Sequence, residues 1–299
     1  MSSSIKAALL ANSSIAVAKG VGAFFTGSAS MLAETIHSVA DCGNQLLLMW
    51  GLKTAQKEAD ADHPLGYGKE TYFWSFIVAL VLFTLGGAYS MYEGIHKLHS
   101  TEPLQYVGWA AGILLFGFIM ETRSLKVCIS EIREQHPGKS LRWFFKETRS
   151  PELLVIFGED IAALIGLGVA GLFLGIAAIT GNPMWDAIGS IVVGTLLMIV
   201  AIFLFIETKA LLIGQGVDPQ VRRDLREFLV KIEEVEHTYE CVTLQMGREC
   251  VLMLRVRMLE RDDAQKMLAD INRVEREIHE KFPQFTTIFL EPDNQIEDF

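Results

Sequence analysis

Met31-Leu-Ala-Glu34-Thr-Ile-His37-Ser-Val-Ala-Asp41-Cys42-Gly-Asn44-Gln-Leu-Leu-Leu-Met-Trp-Gly-Leu52 is an apolar stretch interrupted by a histidine and an aspartate four residues apart. On a helix that spacing puts His37 and Asp41 on one face, about 6 Å apart along the axis. A carboxylate at mid-depth in lipid costs at least ~2.5 kcal/mol and is tolerated facing a bundle interior or a polar cavity. Imidazole with carboxylate is also the ligand pair that borderline divalent ions such as zinc prefer. The stretch therefore predicts a metal pathway through a membrane; the plainer alternative is a structural polar pair bridging two helices.

Composition agrees with a membrane setting. Hydrophobic residues make up 51% of the 299-residue chain, and the mean hydropathy is +0.31, above what soluble domains show. Apolar runs at about 5–27, 30–52, 72–96, 104–122, 153–180 and 184–208 each approach the ~20 residues that cross ~30 Å of hydrocarbon. Six spans are predicted. The first run is too long, and lacks the small-residue cleavage site, for a signal peptide, so it is expected to be a retained helix. Residues 217–299 differ: 12 Lys+Arg against 19 Asp+Glu give −7 of the chain's net −10. The predicted domains are thus a membrane part over 1–212 and a water-soluble part over 213–299. No nucleic-acid partner is expected.

Basic residues set the expected orientation. Connections 28–29, 97–103 and 181–183 hold Lys97 alone, whereas the alternate ones hold Lys53, Lys57 and Lys69, then Arg123, Lys126, Arg133, Lys139, Arg142, Lys146 and Arg149. Both termini are therefore expected in the cytoplasm, of a multi-pass protein in a bacterial cytoplasmic membrane. Cys42, Cys128, Cys241 and Cys250 form no CxxC pair. Cys42 points about 100° away from Asp41 around the helix, which favours packing over ligation.

In the soluble part, Asp218-Pro219 reads as a helix cap and first turn, followed by helical periodicity from Val221 to Val235. Alternation over His237–Met246 and Cys250–Met258 about Gly247 predicts a hairpin. A helix over 262–282 and a strand over Phe285–Leu290 complete an α+β unit, αββαβ, of ferredoxin-like order. Fold of that kind assigns no function.

Two motifs carry a resemblance. Ser28-Ala-Ser-Met-Leu-Ala-Glu-Thr-Ile-His37-Ser-Val-Ala-Asp41 resembles the second-helix signature of the cation diffusion facilitator family, and His63-Pro64-Leu-Gly66-Tyr67-Gly68-Lys69-Glu70 resembles the HPxGHGKxE loop that follows it. Six spans, the αββαβ tail and Phe282-Pro283…Glu291-Pro292 are similar as well. Glu34, Thr35 and Asn44 stand where the signature has small residues, as in a divergent branch similar to the mitochondrial zinc transporter subgroup. The resemblance implies a homodimeric antiporter that exports zinc, or a related divalent ion, in exchange for protons.

The family's transport site joins two ligands of the second helix to an HxxxD or DxxxD pair of the fifth. His37 and Asp41 match the first half. Asp160 matches the last aspartate, but Ile156 stands four residues before it. At 100° per residue, Glu159 and Asp160 lie some 60° and 40° to either side of the Ile156 direction. Glu159 is thus a candidate fourth ligand, the alternative being an ion pair with Lys19 or another helix. Asn44 and Glu34 share the His37–Asp41 stripe and are candidates for its surroundings. Asn12 and Lys19, two turns apart on the first span, are placed near the cavity by the resemblance; Lys19 would stabilise an empty carboxylate site, or would snorkel to an interface. Glu93, Glu121 and Glu207 are expected to be solvated near span ends.

Secondary metal sites look degraded. Tyr67 replaces a histidine of the loop, leaving Asp60, Asp62 and His63, and His63-Pro64 is expected to shape a turn. In the tail, Arg255, Leu268 and Phe289 occupy the family's histidine positions and only His237 remains, so Arg255 and Arg257 are expected to pair with Glu260, Glu249 or a partner subunit. A ligating histidine must be neutral and carboxylates ionised, so metal binding and proton release are linked. No GxxxxGK[ST] loop points to nucleotide. Two other classes compete: a membrane-embedded metalloenzyme, against which no HExxH motif occurs, and a metal sensor, against which the tail lacks the histidines of the family's cluster. No prosthetic group is expected. The ion itself, zinc first by resemblance, has manganese, iron(II) and cobalt beside it, because one imidazole with two or three carboxylates is a hard ligand set.

Overall fold

The computed structural model describes residues 3–26, 29–98 and 107–294, without the side chains of 26, 29–34, 36, 37 and 146. The chain divides into two compact units, one of residues 1–54, 71–145 and 150–209, the other of 55–70, 146–149 and 210–299.

The first unit is helical. It contains α1 (Ser3–Thr26), α2 (Ala29–Thr54), α3 (Glu70–Val81) running through a π-helical segment (Leu82–Ala88) into α4 (Tyr89–Lys97), α5 (Val107–Gln135), the short α6 (Leu141–Glu147), α7 (Pro151–Thr180) and most of α8 (Met184–Gly214). Among the described residues, four segments are long and apolar enough to cross a membrane: Ser3–Phe25, Glu70–Lys97, Pro151–Thr180 and Met184–Leu229. Helices α2 and α5, of 26 and 29 residues, are long enough as well, but ionisable and amide side chains along them lower their hydropathy. Large apolar residues face outward along these helices: Leu10, Val17, Phe24, Trp50, Phe118, Leu172 and Ile199 are all exposed. A surface of that kind suits lipid better than water.

α1 packs against α2, α5 and α7, and α5 against α7. A buried apolar cluster joins them at one level, from Ile5 and Ala8 of α1, Leu48 of α2, Cys128 and Ile132 of α5, and Leu153–Phe157 of α7. The pairing of α3–α4 with α8 rests on small residues. A methyl group at Gly94 would stand 2.9 Å from the Ala187 carbonyl oxygen, and one at Gly194 would stand 2.8 Å from the Gly87 oxygen. Glycine there lets the two backbones approach, the usual basis of helix association in lipid. The π-helical segment beside this contact has no mark in the hydropathy pattern; Gly86-Gly87 within it lowers the cost of the altered hydrogen-bond register.

Two boundaries differ from the sequence expectation. α5 continues to Gln135, although its apolar run ends near 122, because it carries on as a polar helix. The first helix of the second unit, α9 (Pro219–Leu229), stops six residues before Val235. Ile232 and Val235 keep the apolar spacing and are buried, but successive tight turns carry them, with Ile232 N–H donating to Leu229 O and Val235 N–H to Ile232 O.

The second unit continues with β1 (Val235–Met246), β2 (Glu249–Met258), α10 (Ala264–Lys281) and β3 (Phe285–Pro292). β1 and β2 pair antiparallel and β2 and β3 parallel, in the order β1-β2-β3. Leu225 and Leu229 of α9, Val274 and Ile278 of α10, and Leu252, Leu254 and Phe285 of the strands form one core. Asp218 and Asp263 cap the two helices by accepting from Gln220 N–H and Gln265 N–H. Gly247, at φ +72°, turns the hairpin, and Gly68 of the 55–70 segment lies against it with no room for a side chain. Arg257 pairs with Glu236 at 2.9 Å, and Arg255 lies 3.9 and 3.7 Å from Glu291 and Asp293. Within the chain these are neither Glu260 nor Glu249: the antiparallel register sets Arg257 beside His237, next to Glu236, and the parallel register sets Arg255 beside Glu291.

Candidate functional site

Residues 151–160, the first ten of α7, are buried without interruption. Glu159 and Asp160 end this run, 8% and 3% exposed. Standing 100° apart around the helix, they address two different neighbours. Gln45 of α2 donates its Nε2 to Glu159 Oε2 at 2.8 Å. Ser124 of α5 places its hydroxyl 3.2 and 3.0 Å from the two Asp160 oxygens and donates to them. Neutral donors thus hold both carboxylates, at a depth where an unsatisfied charge would be costly.

α2 supplies the facing groups. Asp41 is partly buried, and it bears electrostatically on Glu159 together with Asp160 and Glu121. Asn44 and Gln45 are 2% and 1% exposed. Asn44 Oδ1 and Gln45 Oε1 have no hydrogen-bond partner among the described residues. The His37 and Glu34 side chains lie outside the described residues, although the α2 backbone runs through both positions. On α1, Asn12 and Lys19 are half-buried, and Lys19 bears on Glu121. Cys42 Sγ lies 3.6 Å from Ser13 Oγ of α1.

Glu121 departs from expectation. It is 6% exposed, not solvated at a span end, because α5 runs thirteen residues past the end of its apolar run and leaves Glu121 in mid-helix. Gln45, Ser124 and Glu121 were all missed as site residues. A visible signal existed on α5: Gly117, Glu121, Ser124, Cys128 and Glu131 recur at alternating intervals of four and three, one helix face, and all are buried. Four carboxylates from α2, α5 and α7 therefore converge, with Lys19 of α1 nearby. Among the described residues, no three His, Cys, Asp or Glu side chains close on a single ion.

The loop after α2 is held by its own contacts. Asp60 Oδ1 accepts from Asp62 N–H and His63 N–H at 3.0 and 2.7 Å, and Oδ2 accepts from the Tyr67 hydroxyl at 2.6 Å. The His63 and Tyr67 rings stack with centroids 4.2 Å apart. Tyr67's hydroxyl and the loop amides hold the Asp60 carboxyl below its ordinary range, and the same bond pushes the Tyr67 phenol up. In the tail, His237 is exposed and packs edge-on to Tyr239, while Leu268 and Phe289 are exposed too.

Residues 5–213 match the cation efflux transmembrane domain family. The chain is 36% identical over 229 residues to metal tolerance protein C4 of Arabidopsis thaliana, covering 76% of this chain and 50% of that protein. It is 34% identical over 262 residues to the mitochondrial proton-coupled zinc antiporter SLC30A9 of Homo sapiens, covering 84% of this chain and 46% of that protein. It is 29% identical over 211 residues to the magnetosome protein MamB of Magnetospira sp. (strain QH-2), covering 69% of this chain and 65% of that protein. The chain spans half or less of the length of the first two. With four apolar segments and a match to a transmembrane domain, it is a multi-pass membrane protein. It belongs to the cation diffusion facilitator family, a family of cation transporters rather than enzymes, on the side of the branch that includes the mitochondrial zinc antiporters.

Proposed function

We propose that this chain moves a divalent cation, zinc first, across a membrane in exchange for protons, by alternating exposure of one intramembrane site. The observation that carries this reading is the buried pair Glu159-Asp160, enclosed in an apolar segment and held by uncharged donors of α2 and α5. Ionisable residues so placed in a membrane helix mark ion pathways. The ligands are His37 and Asp41 of α2 with Asp160 and Glu159 of α7, and the ion is the cargo. Asn44, Glu34, Asn12 and Lys19 surround them, Lys19 offsetting negative charge when no ion is present. Ion binding requires a neutral imidazole and ionised carboxylates, so each loading displaces protons that the same groups carry back.

In this reading all six long helices span, α2 and α5 lining the polar interior with their ionisable faces. Residues 1–212 form the transport domain and 213–299 a cytoplasmic ferredoxin-like domain, in a homodimer with both termini in the cytoplasm of a bacterial cell. Zinc flux in sealed vesicles under an imposed pH gradient tests it. Flux that follows the gradient and is lost in Asp41→Ala supports antiport; zinc movement indifferent to the pH gradient sinks it.

A further inference from the structure

We propose that Glu121 of α5 is a specificity-determining member of the ion site, adding a carboxylate from a third helix and widening the site's preference toward hard divalent ions such as manganese. The inference deepens the transport reading and rests on it.

Glu121 lies three residues before Ser124, about 4.5 Å along the same face, and Ser124 touches Asp160 of α7. One turn to the other side, a methyl group at Gly117 would lie 3.5 Å from Leu167 of α7 and 3.8 Å from Ile15 of α1. Bracketed by these contacts, Glu121 faces the seam between α1 and α7, and it is 6% exposed. The groups that bear on it electrostatically are Asp41 and Lys19, and it bears in turn on Glu159 and Asp160. Acidity alone would not make this a site. The second observation is Gln45 Oε1, in a residue 1% exposed, a buried acceptor with no donor among the described residues. Gln45 is fixed in the cluster by its own amide nitrogen on Glu159, so its idle oxygen opens beside that carboxylate. Buried oxygens without donors, among carboxylates, are what a cation supplies with a partner.

The consequence is a count of oxygens. The four ligands already proposed include one imidazole, which suits zinc. Glu121 and the Gln45 amide oxygen raise the share of hard ligands, and carboxylate and carbonyl oxygens favour manganese or magnesium over softer ions. Zinc is satisfied by four ligands and depends less on the added oxygens.

The test is equilibrium binding of Mn²⁺ alone and Zn²⁺ alone to the purified full chain in detergent, for the wild type, Glu121→Gln and Glu121→Asp. Glu121→Gln is expected to weaken Mn²⁺ by about 10- to 100-fold, the usual cost of removing a supporting group at a metal site, and Zn²⁺ by clearly less. Glu121→Asp, which keeps the charge with a shorter reach, falls between the wild type and the glutamine variant in its Mn²⁺/Zn²⁺ ratio. A ratio in Glu121→Gln equal to that of the wild type overturns the proposal. If that variant does not fold, Glu121→Asp decides alone, since retracting the carboxylate alters the ratio only if it reaches the ion. Wild-type protein that binds neither ion also overturns it. Intact binding without pH-driven flux in vesicles sinks the antiport reading and leaves this one standing.

Discussion

Gln45→Leu isolates the contribution of a single neutral donor to the proposed ion site. Gln45 is 1% exposed and donates to Glu159 Oε2 at 2.8 Å; leucine fills nearly the same volume and donates nothing. A buried hydrogen bond to a charged group is worth about 1.5–3 kcal/mol. At 1.36 kcal/mol per decade, its loss corresponds to about 10- to 100-fold. The bond favours the ionised, correctly turned carboxylate that an ion needs, so the loss reaches zinc affinity through Glu159. Fold stability moves less, because the substitution also removes Gln45 Oε1, a buried acceptor without a partner of a kind that costs about 1–3 kcal/mol. Equilibrium zinc binding to the purified chain, in a double-mutant cycle with Glu159→Gln, reads the effect. An affinity unchanged in Gln45→Leu, or a loss equally large in the Glu159→Gln background, refutes the assignment of Glu159 as a ligand positioned by Gln45.

Three further predictions use other parts of the chain. The Asp41→Ala chain is expected to bind no stoichiometric zinc, because Arg255, Leu268 and Phe289 leave the tail without a ligand set; retention of one zinc per chain by calorimetry would reveal a second site. Tyr67→Phe removes the first cause of Asp60's lowered carboxyl titration, so its midpoint moves up toward the ordinary carboxylate range by nuclear magnetic resonance. A lowered folded value means that this loop's contribution to stability exists above the unfolded-state value and disappears as pH falls through the folded one, and the variant shows less of that loss; an unmoved midpoint contradicts the bond's role. Adding Ile156→His to Glu159→Gln is expected to restore zinc binding in part, manganese binding not at all, and to lower stability, since Ile156 is fully buried; a folded double variant that binds zinc no better than Glu159→Gln places position 156 outside the site.

Much of the fold was legible because it follows from length and period. The tail's strands and second helix lie within two residues of the alternation and periodicity that predict them, as burial on one face enforces both. The α2 motif was legible because charge is conspicuous in an apolar run. Glu121 was not, because hydropathy reports the stretch that suits lipid and α5 outlasts that stretch by thirteen residues. Gln45 and Ser124 hold the two key carboxylates, but uncharged polar residues scarcely alter a hydropathy profile, and their role depends on which helices are neighbours. The π-helical segment of 82–88 is a change of hydrogen-bond register, which composition does not record.

The vacant ligand position at Ile156 acquires a physical reason when the four helices are followed together. Away from the carboxylates, each turns from polar to apolar within one or two turns: Asn12 to Ala8 and Ile5 on α1, Gln45 to Leu48 on α2, Ser124 to Cys128 and Ile132 on α5, and Asp160 to Ile156 and Leu153 on α7. Every apolar residue in this series belongs to one continuous buried cluster. Ile156 is thus part of an apolar layer, one or two turns deep, that separates the carboxylates from buried Glu131 and Glu152 beyond it, and a ligand there would breach that layer. In the proposed site, the ion's oxygens then come from elsewhere on the same turn or from another helix. Glu159, three residues on, and Glu121, across the seam on α5, are the buried carboxylates that meet this requirement.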